Sequence, residues 1–354
     1  MGNSERANSF TRGFKSMRKF FIKALALLVG TCLIFNALGS LADRVAPLED
    51  WRVEHQQRVV NLEARRDQIE AITLGNSHSD AVDYSVLGID GQSLAFAAGD
   101  LFEIEKYSAY LGDRLPNLKT VFIAISYYSF SRDNATFEPF RTLRIKYYSI
   151  VPAWSPIQGD KSNFLLGRLE SYTHVMSVVR SDSWEGVWTG LGKDASSANP
   201  FPYDGVTTQS AWGTCSHYTA EQLDAHARDI ANRNVTSSGQ MANVHEALTQ
   251  DAFDALARTI EELEAKGIRV VHFTPTYHEK YDQYFMEHGL PMVEDMWQKI
   301  EKLQQTYHVE YYDFSRDPEI SQHAELFYNS DHLGDCGRQI FSSKLLKAMN
   351  GHPE

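Results

Sequence analysis

The chain has 354 residues, 43% hydrophobic and 12% aromatic, which suffices for one large α/β domain with excursions or two modest domains and excludes wholesale disorder. Its net charge of -12 is uneven: residues 1–23 hold Arg6, Arg12, Lys15, Arg18, Lys19 and Lys23 against Glu5 alone, so the remainder is more acidic still. A body of that charge repels phosphates, which excludes a nucleic-acid binder.

The basic start leads into an apolar run. Residues 20–42 read FFIKALALLVGTCLIFNALGSLA, with Lys23 as the one charge. About 20 apolar residues cross a bilayer as a helix. A basic tail at 1–19 and Asp43 after the run predict a single-pass protein of the inner or plasma membrane, with a cytoplasmic N-terminus and an extracytoplasmic, periplasmic body. The alternative is a cleaved signal peptide, with Ser40-Leu41-Ala42 as its cleavage site. The long polar lead and the near-complete span favour the anchor. Thr31 before Cys32 fits a lipoprotein signal poorly, so Cys32 reads as a membrane-buried thiol. Cys215 and Cys336 can pair in an exported body or remain thiols. With no CxxC and no Cys/His cluster, neither a metal centre nor another cofactor is expected.

The charge-rich stretch 43–69, with Leu48, Trp51, Val53, Val59, Val60 and Leu62 among its apolar residues, predicts an amphipathic stalk helix lifting the body off the membrane. A short strand follows at 70–74, stopped by Gly75. A second strand is expected at 94–97, then a turn of small residues. Leu101, Ile104, Tyr107, Ser108 and Leu111 recur at helical spacing, up to the stop at Leu115-Pro116-Asn117. Residues 120–126 form a continuous apolar run, too short for a helix, that reads as a strand buried on both faces.

Residues 131–250 read as an insertion over one face. Phe140, Arg141 and Tyr147 in its first part make a basic-aromatic patch, either a solvated helix face or a surface for an acidic polymer or lipid headgroups. A helix near 248–266, a strand at 268–273, a helix at 292–306, a strand at 308–314 and a helix at 335–349 complete the chain. Strand–helix alternation at both ends of the body predicts a three-layer α/β/α sandwich with a mostly parallel sheet over 70–350.

Two short stretches carry the chemistry. Ile72-Thr73-Leu74-Gly75-Asn76-Ser77-His78 sets a serine just past a strand end. Asn329-Ser330-Asp331-His332-Leu333 lies between the last strand and the last helix. In a parallel sheet both fall at the carboxyl edge, where open α/β folds hold their sites. A nucleophilic serine needs a base, and the base needs a group to orient it.

Gly75-Asn76-Ser77-His78 resembles the first sequence block of the SGNH/GDSL hydrolase superfamily, and Asn329-Ser330-Asp331-His332 resembles its last, Asp-x-x-His. The chain also resembles the membrane-anchored bacterial branch, some of whose members move acyl groups onto cell-surface polymers beside a membrane-bound O-acyltransferase. The resemblance covers roughly 70–130 and 250–349. It implies Ser77 as nucleophile and His332 as general base. Backbone N–H groups of Ser77 and of the Ala98-Gly99 turn would form the oxyanion hole, and an acylated envelope glycan or similar polymer would be the substrate. Asn329 stands where that pattern has its acid, and Asp331 is the one acid within the block. Ser126-Tyr127-Tyr128-Ser129 stands where the oxyanion asparagine is expected. His78, Tyr277 and His278 are candidates for lining the substrate site; Asp313 reads as a turn former. Against the esterase or acyltransferase stands a catalytically inactive scaffold or glycan-binding protein of the envelope with the same fold.

Overall fold

The computed structural model describes residues 3–45, 50–96, 98–152, 154–172, 218–244 and 247–351. The chain divides into two units, residues 1–49 with 168–200, and residues 50–167 with 201–354.

In the first unit a single helix, α1 (Asn3–Val45), contains a 22-residue stretch, Met17–Leu38, long and apolar enough to cross a membrane. Its described apolar side chains, Phe20, Leu27 and Leu33 among them, are exposed.

The second unit is built on a five-stranded parallel sheet, β1 (Ala71–Leu74), β2 (Gly91–Ser93), β3 (Thr120–Ala124), β4 (Arg269–Thr274) and β5 (Glu310–Asp313), in the order β2-β1-β3-β4-β5. The order reverses at β1, so a crevice opens at the carboxyl ends of β1 and β3. Ladder bonds continue past β2, from Leu94 N–H to Thr73 O (2.8 Å) and from Phe96 N–H to Gly75 O (2.9 Å). The strand expected at 94–97 is therefore shifted three residues early: its apolar residues run beside the end of β1 while the regular pairing lies in the polar Gly91–Ser93.

Alternate strand residues enter two separate cores. Ile72, Leu74, Val121 and Ile123 pack with Leu101, Ile104 and Tyr107 of α4 (Leu101–Gly112) and with Leu256 and Ile260 of α8 (Leu248–Ala265). Ala71, Phe122, Val271 and Phe273 pack with Tyr84 and Leu87 of α3 (Tyr84–Leu87) and with Phe341 and Leu345 of α11 (Asp335–Met349). Period-two alternation explains why β1 and β3 read as unbroken apolar runs: both faces are dry. α4 opens on a capping box, Asp100 accepting from Glu103 N–H and Glu103 from Asp100 N–H.

Three expectations change. The segment expected as a stalk is, from Asp50 onward, part of the body: in α2 (Asp50–Arg65), His55, Arg58 and Leu62 are buried. Arg58, Glu63 and Arg65 pair with Asp80, Arg114 and Asp90 of the body. The helix expected at 292–306 begins at Glu279, α9 (Glu279–Tyr307), running through Pro291. The basic-aromatic patch is divided: in α5 (Glu138–Ile150), Tyr147 is buried and its hydroxyl donates to Glu103 O, while Phe140 and Arg141 stay partly exposed and Arg141 Nε donates to Asn163 of α6 (Lys161–Tyr172). The insertion's other described helix is α7 (Ala220–Val244).

Candidate active site

Gly75 ends β1 at φ +136°, and a Cβ there would lie 2.2 Å from Ser79 Oγ, so the turn requires glycine. A short 3-10 helix, Ser77–Ala81, starts at once. Asn76 caps it, its Oδ1 accepting from His78 N–H (3.0 Å), while its Nδ2 donates to Ser126 Oγ beyond β3 (2.8 Å). Asp80, inside this helix, is gripped by Arg58 of α2 through Nη1 (2.7 Å) and Nη2 (2.9 Å), and Ser93 Oγ donates to it (2.5 Å). Burial pushes the Asp80 carboxyl up, but the Arg58 charge and these hydrogen bonds outweigh it and bring it down to about 2. Ser77 is thus the half-exposed first residue of a turn fixed at three points.

The late loop closes on itself. Phe327 and Leu333 form an antiparallel bridge, and Tyr328 N–H donates to His332 O (2.9 Å). Asn329 Oδ1 accepts from the backbone N–H groups of Asp331 (3.2 Å) and His332 (2.9 Å). An amide oxygen serves this Asx turn as well as a carboxylate does, which accounts for asparagine at this position.

The two stretches meet. His332 Nε2 lies 2.8 Å from Ser77 Oγ. His332 Nδ1 faces Asn329 Oδ1 (3.0 Å) and Asp331 Oδ1 (3.1 Å), both acceptors, so the proton belongs on Nδ1 and Nε2 is left to accept from the serine. Asp331 Oδ2 faces His78 Nε2 at 3.3 Å, and His78 Nδ1 lies 2.7 Å from Ser126 Oγ. Burial pushes the Asp331 carboxyl up, but the two imidazoles outweigh it and hold it well below the usual carboxylate range. Burial lowers the pKa of His78, which is therefore neutral at pH 7. Asp331 and Asn329 accordingly divide the orienting role: both accept from Nδ1, and the acid alone offsets a positive ring.

The remaining candidates fall elsewhere. Tyr277 is fully buried, its hydroxyl 3.5 Å from His78 Nδ1 and its ring against Tyr127 and Tyr281, so it walls the hydrogen-bonded chain from behind. His278 caps α9 by accepting from Lys280 N–H (3.2 Å) and does not face the serine's cleft. Gly99 does not supply an oxyanion donor: its N–H is held by Phe96 O (3.0 Å), and its Cα lies so near Gly75 O that a Cβ would sit 2.8 Å away. Ala98 turns the chain there at φ 54°, and its carbonyl accepts from Asn134 Nδ2. Asp313 Oδ1 accepts from Ser315 N–H, a turn former. Cys32 is free and Cys336 is a half-cystine; Cys215 lies outside the described residues.

Other residues carry no local signal in the sequence. His226 of α7 reaches Ser330 Oγ with Nδ1 (2.8 Å) across 104 positions. Thr276, 1% exposed, lines the same narrow cleft as Ser77 and His332, and among the described residues its Oγ1 has no hydrogen-bond partner. Ser126, in the stretch where the resemblance leads one to expect an oxyanion asparagine, supports His78. Among the described residues His78, Asp331 and His332 also bring one donor atom each within 4.8 Å of one another, enough to hold a metal ion, although hydrogen bonds already account for those atoms. No family model matches the chain, and no curated protein matches it.

Proposed function

We propose that the chain is a membrane-anchored serine acyl esterase or O-acyltransferase of the SGNH type. In this reading its sheet and helices form a three-layer α/β/α sandwich outside the cytoplasm. It acts on an envelope polysaccharide or similar polymer through a Ser77 acyl-enzyme, in the transfer case beside a membrane-bound O-acyltransferase. One observation carries the reading: Ser77 Oγ lies 2.8 Å from a His332 nitrogen whose ring partner faces a buried, ionised Asp331.

Ser77 Oγ attacks the ester carbonyl while His332 Nε2 takes its proton. The Asp331 carboxylate stabilises the imidazolium, and the Ser77 N–H faces the tetrahedral oxyanion. The ester C–O bond breaks as His332 returns the proton to the leaving alkoxide. Water or a sugar hydroxyl then attacks the acyl-enzyme, giving up its proton to His332, and Ser77 regains it on release.

The test is labelling of the detergent-solubilised full chain by a fluorophosphonate, together with turnover of 4-nitrophenyl acetate. Both are expected in the wild type and absent in Ser77→Ala. A wild-type protein showing neither overturns the reading.

A further inference from the structure

Arg132, in the loop after β3, is 2% exposed, and among the described residues neither its Nε nor its Nη2 has a hydrogen-bond partner. Its guanidinium carbon sits 4.1 Å from the Tyr128 ring centroid and 4.9 Å from that of Phe140, so two aromatic rings pack against it while its Nε–Nη2 edge is unpaired. The adjacent acid is turned away: Asp133 Oδ1 accepts from Arg144 Nη2 (3.2 Å) and Ala135 N–H (2.9 Å). A desolvated guanidinium with an unpaired edge is a strongly unfavourable arrangement unless something else completes it.

The geometry of that edge says what fits. Nε and Nη2 point the same way, forming a fork that matches two oxygens of one anion. The same fork grips a carboxylate twice in this molecule: Arg258 takes Glu105 at 2.6 and 3.1 Å, and Arg269 takes Glu310. Its place is beside the candidate site. Tyr128, which Arg132 covers, lies 6.1 Å from the His78 ring, and His78 lies 4.8 Å from the His332 ring. Arg132 is also among the charges that depress the pKa of His78.

We propose that Arg132 is an anion-binding residue of the Ser77 site, gripping a two-oxygen anion, a carboxylate or a phosphate, on the molecule that is acylated or deacylated. The inference rests on the acyl-enzyme reading in assigning that anion to the Ser77 substrate. It narrows the substrate class to acidic molecules such as uronate-containing or phosphate-bearing glycans. The Tyr128 and Phe140 rings pack against the guanidinium, so the charge is preorganised and a neutral analogue leaves it uncompensated.

Calorimetric titration of the solubilised full chain with sodium glucuronate, inorganic phosphate and glucose tests this without any turnover. Saturable binding of glucuronate or of phosphate is expected, with no binding of glucose, and whichever anion binds identifies the source. Arg132→Gln is expected to weaken that binding at least tenfold. Arg132→Lys, which keeps the charge and loses the fork, is expected to do nearly the same, and it serves if the glutamine variant fails to fold. Ser77→Ala is expected to keep the wild-type affinity. Absence of anion binding, or binding unchanged in both Arg132 variants, overturns the proposal. Arg132-dependent binding by a protein that neither labels nor turns over ester sinks the acyl-enzyme reading alone, and labelling without anion binding sinks this one alone.

Discussion

Arg58 and Asp80 form a two-point ion pair, Nη1 to Oδ1 at 2.7 Å and Nη2 to Oδ2 at 2.9 Å, with both side chains under one-tenth exposed. The pair ties α2 to the turn that carries Ser77. Removing one partner of a buried pair strands the other charge, at a cost of about 3–5 kcal/mol. Arg58→Met and Asp80→Asn are each expected to lower the urea midpoint strongly, and the double variant to lose clearly less than the sum. A double-mutant cycle followed by circular dichroism reads this directly. Additive losses would mean that the two residues do not act as a unit.

The division of labour around His332 predicts unequal losses. Asp331→Asn keeps an acceptor at Nδ1 but removes the charge that offsets the imidazolium. It also leaves His78 Nε2 facing an amide. On the precedent of acids that orient a catalytic histidine, kcat is expected to fall roughly 10²–10⁴-fold. Asn329→Asp keeps every accepting oxygen of the Asx turn and is expected to retain kcat within about tenfold. Steady-state ester turnover separates the two; equal losses would assign the electrostatic role to Asn329 after all.

Three buried groups set opposing pH dependences. Burial lowers His55 to about 3 and His272 to about 4, from 6.5 when unfolded. As pH falls below about 6.5 the unfolded chain takes up protons first, so their stability contribution is lost toward pH 4. Glu103 behaves in the opposite sense: burial and the Asp100 charge raise it to about 8, against Arg144. Its contribution is present below about pH 4.5 and is lost as pH rises through 8. Urea midpoints measured from pH 4 to 9 are expected to peak between these limits. Glu103→Gln is expected to flatten the alkaline side, and His272→Gln the acid side. An unchanged alkaline limb in Glu103→Gln would show that the carboxyl is ionised at neutral pH.

The His78–Asp331–His332 grouping makes a prediction about metals. If these atoms serve the serine, a divalent ion competes with the His332–Ser77 hydrogen bond. Micromolar Zn²⁺ is then expected to inhibit ester turnover and fluorophosphonate labelling, and a chelator to leave both unchanged. Activation by Zn²⁺ and loss on chelation would make the grouping a metal centre.

The apolar segments were readable from residue order alone. β1, β3 and β4 stand out because a strand buried on both faces is apolar at most of its positions, a property of one short window. Gly75 and the Asp331-His332 loop stand out for a similar reason, since a turn's chemistry is local, and the 22-residue apolar helix depends on composition only. The polar framework was not readable. Arg58 and Asp80 are 22 positions apart, His226 and Ser330 are 104 apart, and Ser77 and His332 are 255 apart. No periodicity links such pairs; they meet because the sheet order reverses at β1 and brings distant loops to one edge. Residue order alone therefore determined the apolar N-terminal helix, the buried strands and the two stretches that carry the serine and the histidine. Tertiary structure decided that the segment expected as a stalk clamps the serine's turn, that Asp331 shares the histidine with Asn329, and that among the described residues the buried Arg132 has no partner at Nε or Nη2. Hydrophobic burial is written into local patterns, whereas the pairing of buried polar groups depends on which loops the topology brings together.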